Sequence, residues 1–162
     1  MTATFKTFFT LAAAALLTAC QSLPAPKGFS PEQVAMLQSQ GFVETEGGWQ
    51  LTLSERLLFA TDDANLKPEQ IDAISAVARG LASVGIVSAR VEGHTDSTGT
   101  SAYNRKLSQA RADVVAGAMR SNGMALAPDQ VIGRGETLPL SSNATPEGRQ
   151  DNRRVVVIVA PQ

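Results

Sequence analysis

The sequence predicts a two-layer α/β sandwich, in which a β-sheet packs against helices. Two observations support this fold class. Short apolar strands alternate with two longer segments of helical periodicity, and the last segment, 154–159, is an apolar run typical of a buried strand. The chain has 162 residues, which is enough for one such domain and a leader segment.

The composition excludes several classes of function. The formal net charge of −1 gives no sign of a polyanion-binding surface, so we expect no nucleic-acid partner. The single cysteine excludes an internal disulfide bond and a multi-cysteine metal site. The single histidine excludes the usual zinc and two-histidine iron sites, so we expect neither a metal nor a cofactor.

The first twenty residues resemble a bacterial lipoprotein export signal. Lys6 makes the start weakly positive, and the apolar run over 8–17 is too short to span a bilayer but suits a signal peptide. The run ends in Leu17-Thr18-Ala19-Cys20, which resembles a lipobox; the alternative is an ordinary secretory leader with a buried cysteine nearby. The lipobox implies a signal peptide over 1–19 and acylation of Cys20, and Gln21 favours the outer membrane.

The segment after the cysteine predicts a tether and then a helix. Residues 20–29 contain two prolines and no apolar periodicity, so we expect a flexible tether. Ser30 is a typical N-cap residue, followed by Pro at the first helical position and by Gln33 at the third. Val34 and Leu37 form the apolar stripe of this helix, and Gly41 ends it.

Two strands are predicted after this helix. They cover 42–45 and 49–53 and flank a glycine-containing turn. Trp49, Leu51 and Leu53 would share one face, because strand side chains alternate. We treat 30–48 as an N-terminal helix and strand extension of the domain.

The remaining elements follow from apolar spacing. A helix begins at Pro68 and ends at Gly85, with an apolar stripe made by Ile71, Ile74, Val77, Ala78 and Leu81. Val87, Ala89 and Val91 alternate as a strand. A second helix covers about 102–121, with a stripe made by Leu107, Ala110, Val114 and either Ala118 or Met119. A short strand at 131–132 and a polar loop over 139–152 precede the last strand.

One stretch carries candidate binding residues. Asp96 follows a strand in a glycine-containing loop, and Arg111 lies on the helix that the loop enters, on one polar face with Asn104 and Ser108. A carboxylate and a guanidinium that flank one pocket would suit a zwitterion. The alternative is that Asp96 caps the helix and Arg111 makes a surface ion pair. Spacing alone favours this alternative.

The same stretch resembles the C-terminal domain of the OmpA family. The resemblance is carried by Glu92-Gly93-His94-Thr95-Asp96, by Asn104, Leu107-Ser108 and Arg111-Ala112, and later by Gly148-Arg149 and Asn152-Arg153-Arg154-Val155. It covers roughly residues 50–160. It implies that 49–162 form this domain, with a mixed sheet that has two main helices on one face. It also implies noncovalent binding of peptidoglycan through meso-diaminopimelate.

The resemblance assigns roles within the site. Asp96 would take the ammonium group and Arg111 the carboxylate of the ligand. Thr98, Gly99 and Leu107 would add nearby contacts, mostly through the backbone, while Asn104 shapes the loop. The family also uses a residue near Asp62, where this sequence departs from the usual pattern. His94 is structural in the family, and it has no second histidine or nucleophile beside it, so we expect no enzyme. Arg153 and Arg154 are expected to pair with acids or to pack across the sheet.

The N-terminal extension narrows the expected role. It resembles a signalling branch of these lipoproteins, in which the lipoprotein captures a periplasmic inhibitor and thereby releases an inner-membrane diguanylate cyclase. The partner-binding candidates are Leu37, Phe42, Trp49 and Leu51. A core position is the favoured alternative for Trp49, because one face of its strand must be buried, which makes Phe42 the better candidate. The alternative function is a structural tether between outer membrane and peptidoglycan. The sequence is also compatible with a homodimer of this protein.

Overall fold

The computed structural model describes residues 28–59 and 63–161. The predictions for the export signal, for Cys20, for most of the tether and for Asp62 lie outside these residues. Within the described ranges, no helix is both long and apolar enough to cross a membrane.

One mixed sheet of five strands organises the domain. In chain order the strands are β1 Val43–Thr45, β2 Gly48–Ser54, β3 Arg90–His94, β4 Val131–Gly135 and β5 Arg154–Val159. Their order across the sheet is β1-β2-β5-β3-β4, with β3 and β4 parallel and the other pairs antiparallel. The last strand therefore lies in the centre, which confirms that it is buried.

The helices are α1 Pro31–Ser39, α2 Glu55–Leu58, α3 Pro68–Ser83, α4 Ser101–Arg120 and α5 Pro146–Asn152, with a short 3-10 helix at Pro128–Gln130. The two long helices, α3 and α4, pack against each other, and α4 packs on β3 and β4. The core between the two layers includes Val91, Val155 and Val157. The predicted two-layer α/β sandwich is confirmed.

Helix α1 begins where its sequence predicts. The Ser30 hydroxyl accepts from the Gln33 backbone N–H at 3.2 Å, and the Gln33 side chain accepts from the Ser30 N–H at 3.0 Å. Leu37 is fully buried. The Gln33 amide also donates to the Val84 carbonyl at 3.1 Å, at the end of α3. Leu37, the partly buried Val34 and the Gln33 amide thus hold α1 to the domain.

The partner-binding candidates in the extension are more buried than is expected for a surface that contacts another protein. Leu37, Phe42 and Trp49 belong to the hydrophobic core, and Leu51 packs against it. Phe42, the preferred partner-binding candidate, is only 4% exposed in this conformation. Partner contact through these residues would require α1 and β1 to move.

Both predicted helix stripes are partly wrong. In α3, Ile71 is 42% exposed while Ser75 is buried. In α4 the buried face is the one expected to be polar, with Asn104, Ser108, Arg111, Ala112, Val115, Ala116 and Met119. Small side chains suit this face because α4 lies very close to the sheet. Ser108 is satisfied there, since its hydroxyl accepts from the Gly135 N–H at 2.9 Å and donates to the Arg105 carbonyl at 3.0 Å.

Two element boundaries also differ. Strand β3 begins at Arg90 rather than at Val87, because the Val87 carbonyl accepts from the Ala125 N–H and lies outside the ladder. The predicted polar loop over 139–152 contains α5. Its N-cap is Thr145, whose hydroxyl accepts from the Gly148 N–H at 3.1 Å.

Because α4 lies close to the sheet, we expect that any side chain larger than hydrogen at Gly93 destabilises the fold. A Cβ added there would lie 2.0 Å from the Ser108 carbonyl oxygen, which is backbone and cannot move aside. We expect Gly93→Ala to lower the free energy of unfolding by about 1–3 kcal/mol or more, because overpacking against a backbone that cannot move is destabilising. Urea denaturation measures it.

Gly117→Ala is the matched control on α4, since a Cβ at Gly117 meets nothing within 4 Å. This variant should be about 0.5–1 kcal/mol more stable than the wild type because alanine favours helix. Equal stability of the two variants would contradict the close-packing argument.

Candidate ligand-binding site

The predicted site residues line one pocket. It has a volume of about 490 Å³ and opens between the loop after β3, the first turns of α4 and the ends of α2 and α5. Its lining comprises Glu55, Thr95, Asp96, Thr98, Gly99, Tyr103, Asn104, Leu107, Arg111, Arg149 and Arg153. The structure therefore brings together all the predicted residues that it describes. Their roles toward a ligand stay predictions.

Asp96 is a buried, ionised carboxylate at one side of the pocket. Its Oδ1 accepts from the Thr98 N–H at 2.8 Å, and its Oδ2 accepts from Arg153 Nη1 at 2.6 Å. Burial opposes ionisation, but these two hydrogen bonds outweigh it and hold the pKa of Asp96 below its usual value. Asp96 does not cap α4, because the N-cap is Thr100, whose hydroxyl accepts from the Tyr103 N–H.

The loop that carries Asp96 is shaped by glycine and by Asn104. Gly99 has φ +91°, a left-handed conformation that favours glycine. The Asn104 amide donates to the Asp96 carbonyl at 3.3 Å and to the Glu136 carboxylate, which also accepts from Ser101 Oγ at 2.7 Å. These contacts agree with the structural role expected for Asn104.

Arg111 is the other charged side of the pocket. Only 2% of it is exposed, so it does not form the surface ion pair that spacing favoured. Its Nη2 pairs with Glu55, its Nε donates to the Asp63 carbonyl at 3.0 Å, and its guanidinium carbon lies 5.1 Å from the Phe59 ring centre. Contacts in three directions fix the guanidinium before any ligand arrives.

The sequence analysis did not identify Glu55, the acid that connects the Arg111 side of the pocket with the Asp96 side. Glu55 accepts from Arg111 and from Arg153 Nε. The missed signal is positional: Glu55 directly follows β2 and Arg153 directly precedes β5, and Ser54 pairs with Arg154 where these antiparallel strands meet. The expectation that Arg153 pairs with acids is confirmed, whereas Arg154 donates to the carbonyls of Leu138 and Asn152.

Tyr103, Thr95 and Arg149 are further lining residues that the sequence did not single out. Arg149 donates to the Asn143 carbonyl at 2.9 Å. With it, the pocket holds the guanidinium groups of Arg111, Arg149 and Arg153 against the carboxylates of Glu55 and Asp96. The site therefore offers both signs of charge, with a positive excess, which suits a zwitterionic group on an acidic ligand.

His94 lies away from this pocket, on the sheet face opposite the helices. Its Nε2 is 3.7 Å from Glu92 Oε2, and Arg134 and Arg154 are nearby. Burial, together with Arg154, lowers the pKa of His94 to about 4 against the opposing influence of Glu92. His94 is thus neutral at physiological pH. In the residues the structure describes, no group of three or more His, Cys, Asp or Glu could hold a metal ion.

Comparison with known proteins defines the class. The OmpA family model matches residues 58–153, and the chain belongs to the OmpA family. Among solved structures, the domain is similar to the cell wall anchor of the T6SS from Pseudomonas aeruginosa, with a TM-score of 0.63, 29% identity and coverage of 81% of this chain and 95% of that one. A putative MotB-like protein from Desulfovibrio vulgaris gives a TM-score of 0.65 and 26% identity, covering 81% and 90%.

Two curated relatives are similar over almost their whole length. The putative lipoprotein YfiB of Escherichia coli is 46% identical over 146 residues, which is 89% of each chain. The outer-membrane lipoprotein YfiB of Pseudomonas aeruginosa is 42% identical over 143 residues, covering 88% of this chain and 85% of the relative.

The buried neutral His94 predicts a distinct pH dependence of stability. Its folded pKa is lowered to about 4, so only the unfolded state takes up this proton between pH ~6.5 and ~4. Stability from this group is therefore complete above pH ~6.5 and is lost as the pH falls, with a slope of up to about 1.4 kcal/mol per pH unit. His94→Gln should flatten this part of the curve in urea denaturation.

Glu92 is the carboxylate nearest to His94, and its pKa is lowered against burial by Arg134 and Arg90. Its own contribution to stability is therefore lost mainly below pH ~4.5, which overlaps only the lowest part of the range assigned to His94. An unchanged slope above pH ~5 in a folded His94→Gln variant would show that His94 is not the titrating group.

Proposed function

We propose that this protein is an outer-membrane lipoprotein whose OmpA-like domain binds peptidoglycan noncovalently through meso-diaminopimelate. The observation that carries the proposal is that Asp96 and Arg111 line the same pocket in a member of the OmpA family. The names of relatives support the proposal. One of them is the peptidoglycan-binding protein ArfA of Mycobacterium tuberculosis, which is 37% identical over 103 residues.

The chemistry of the pocket matches the free end of this diamino acid. Its side chain ends in a carbon that bears both an ammonium and a carboxylate. The ionised Asp96 would accept from the ammonium, and the preorganised Arg111 would donate to the carboxylate. Thr98, Gly99 and Leu107 also line the pocket and would add contacts to the ligand, mostly through their backbone. The residue near Asp62 remains a proposed further contact.

The binding pair predicts two loss-of-function variants. Asp96→Ala and Arg111→Ala should each weaken binding to purified sacculi roughly 10- to 150-fold, because each removes a charge-assisted hydrogen bond. Cosedimentation with sacculi measures the bound fraction, and near-ultraviolet circular dichroism checks that each variant is folded.

Asp113→Ala and Arg105→Ala are matched controls, since both residues are exposed on α4 away from the pocket lining. They should bind like the wild type. If folded Asp96→Ala and Arg111→Ala also bind like the wild type, the pocket is not the peptidoglycan site.

We propose that the domain is anchored through Cys20. The lipobox resemblance and Gln21 support this, and both curated YfiB relatives are named lipoproteins. The acyl chains would hold the protein in the outer membrane with the domain in the periplasm. Metabolic labelling with a fatty-acid analogue tests the anchor: label retained by Cys20→Ser would rule it out.

The N-terminal extension supports a second part of the proposal. We propose that it captures a YfiR-like periplasmic inhibitor and so activates an inner-membrane diguanylate cyclase. The observation that favours this role over a structural tether is the weak attachment of α1, held by Leu37, Val34 and the Gln33 amide. Melting α1 would add about 20 Å of reach and would uncover Phe42 and Trp49.

This mechanism predicts a gain of signalling when α1 is loosened. Leu37→Ala removes the one fully buried anchor of α1, which typically costs about 2–5 kcal/mol, and should shift the population toward the extended state. Cells carrying it should contain more cyclic di-GMP than wild-type cells.

Leu140→Ala is the matched control, since Leu140 is 67% exposed and lies in the loop before α5. It should leave cyclic di-GMP unchanged. A Leu37→Ala protein that is folded, lipidated and wall-bound but does not raise cyclic di-GMP would favour the structural tether instead.

A further inference from the structure

Charges of alternating sign form a continuous series across the pocket. Asp96 accepts from Arg153 Nη1 at 2.6 Å, Arg153 Nε donates to Glu55 Oε2, and Glu55 Oε1 accepts from Arg111 Nη2. The outer members, Asp96 and Arg111, are the proposed ligand-binding groups. The inner members, Arg153 and Glu55, each already pair with one of them and also with each other.

The inner pair presents the same charges that the ligand would bring. The Arg153 guanidinium holds the Asp96 oxygen that an ammonium would contact. The Glu55 carboxylate holds an Arg111 donor that the ligand carboxylate would contact. An anion placed on Arg111 therefore either displaces Glu55 or is repelled by it at close range.

We propose that Glu55 and Arg153 are an internal stand-in for the zwitterion, and that ligand binding is an exchange of ion pairs. The inference rests on the proposed function of the pocket. On binding, Asp96 exchanges Arg153 for the ligand ammonium, and Arg111 exchanges Glu55 for the ligand carboxylate. Glu55 and Arg153 keep each other through the contact at Arg153 Nε.

Burial gives the exchange its physical reason. Arg111 is 2% exposed and Asp96 is 6% exposed, and a charge so buried is strongly destabilising without a partner. The inner pair supplies partners while the pocket is empty. Every charge remains paired before and after the exchange, so affinity depends on the small difference between the two sets of contacts. Glu55 and Arg153 thus tune the affinity of the pocket for its ligand. A ligand must carry both an ammonium and a carboxylate, because each of these charges replaces one inner residue.

The double variant Glu55→Gln/Arg153→Gln tests the exchange. It removes both inner charges, keeps a polar side chain at each position and leaves the net charge unchanged. The probe is the soluble tripeptide L-Ala-γ-D-Glu-meso-diaminopimelate, measured by isothermal titration calorimetry. We expect the double variant to bind about tenfold more tightly than the wild type, because no internal group competes.

The matched control is Glu44→Gln/Arg79→Gln, which makes the same changes at two exposed positions outside the pocket lining. It should bind like the wild type. If the wild type binds the tripeptide and Arg111→Ala abolishes binding, but the folded double variant binds no more tightly, the exchange is overturned while the proposed function stands. If the wild type binds neither tripeptide nor sacculi, both are overturned.

A measurement on the wild type does not depend on the folding of the variant. A structure of the wild-type protein with the tripeptide should show the Asp96–Arg153 and Glu55–Arg111 contacts opened beyond hydrogen-bond distance and the Glu55–Arg153 contact kept. A bound ligand with all three contacts intact would overturn the exchange.

Discussion

The close approach of helix α4 to the sheet is the constraint on which the site depends. Gly93 and Gly133 have no Cβ where α4 passes closest to them; a Cβ at Gly133 would lie 2.5 Å from the Gln109 backbone nitrogen. At this distance, side chains of α4 bond directly to the sheet backbone. The Gln109 side chain accepts from the Gly133 N–H at 2.7 Å and donates to the Val131 carbonyl at 3.1 Å. The helix is thereby fixed in position, and Arg111 is fixed with it.

The sheet also separates two charged environments. On the helix side, ion pairs between largely buried charges line the pocket, and a ligand that enters the pocket can reach them. On the opposite face, Glu92 accepts from Arg134 at 2.7 Å and pairs with Arg90 at 2.8 Å, while His94 beside it stays neutral. The second cluster lies at the other side of the same strand, β3, and contributes to the stability of the sheet. His94 is therefore part of the fold although it stands in the sequence next to the loop that carries Asp96.

Features predicted by short-range pattern agree best with the structure. The start of α1, the capping of its first turn and the central apolar strand depend on residues within a few positions of each other. The predicted stripe of α4 was partly wrong because apolar periodicity assumes an apolar contact, whereas much of this helix meets the sheet through small and polar side chains. The helix α5 was missed because its seven residues have no apolar stripe, and its Thr145 cap is a weak signal alone.

The sequence by itself determined the fold class and the family resemblance, and through that resemblance it named Asp96 and Arg111 as site residues. These are encoded in local order and in motif residues that stand near each other in the chain. Only the tertiary structure showed that Glu55 and Arg153 join that pair, since 98 positions separate them and antiparallel pairing of β2 with β5 brings them together. It likewise decided that Phe42 is buried, because burial depends on which surfaces meet across the fold. The charges of Glu55 and Arg153, which balance those of Asp96 and Arg111, were therefore found only in the tertiary structure.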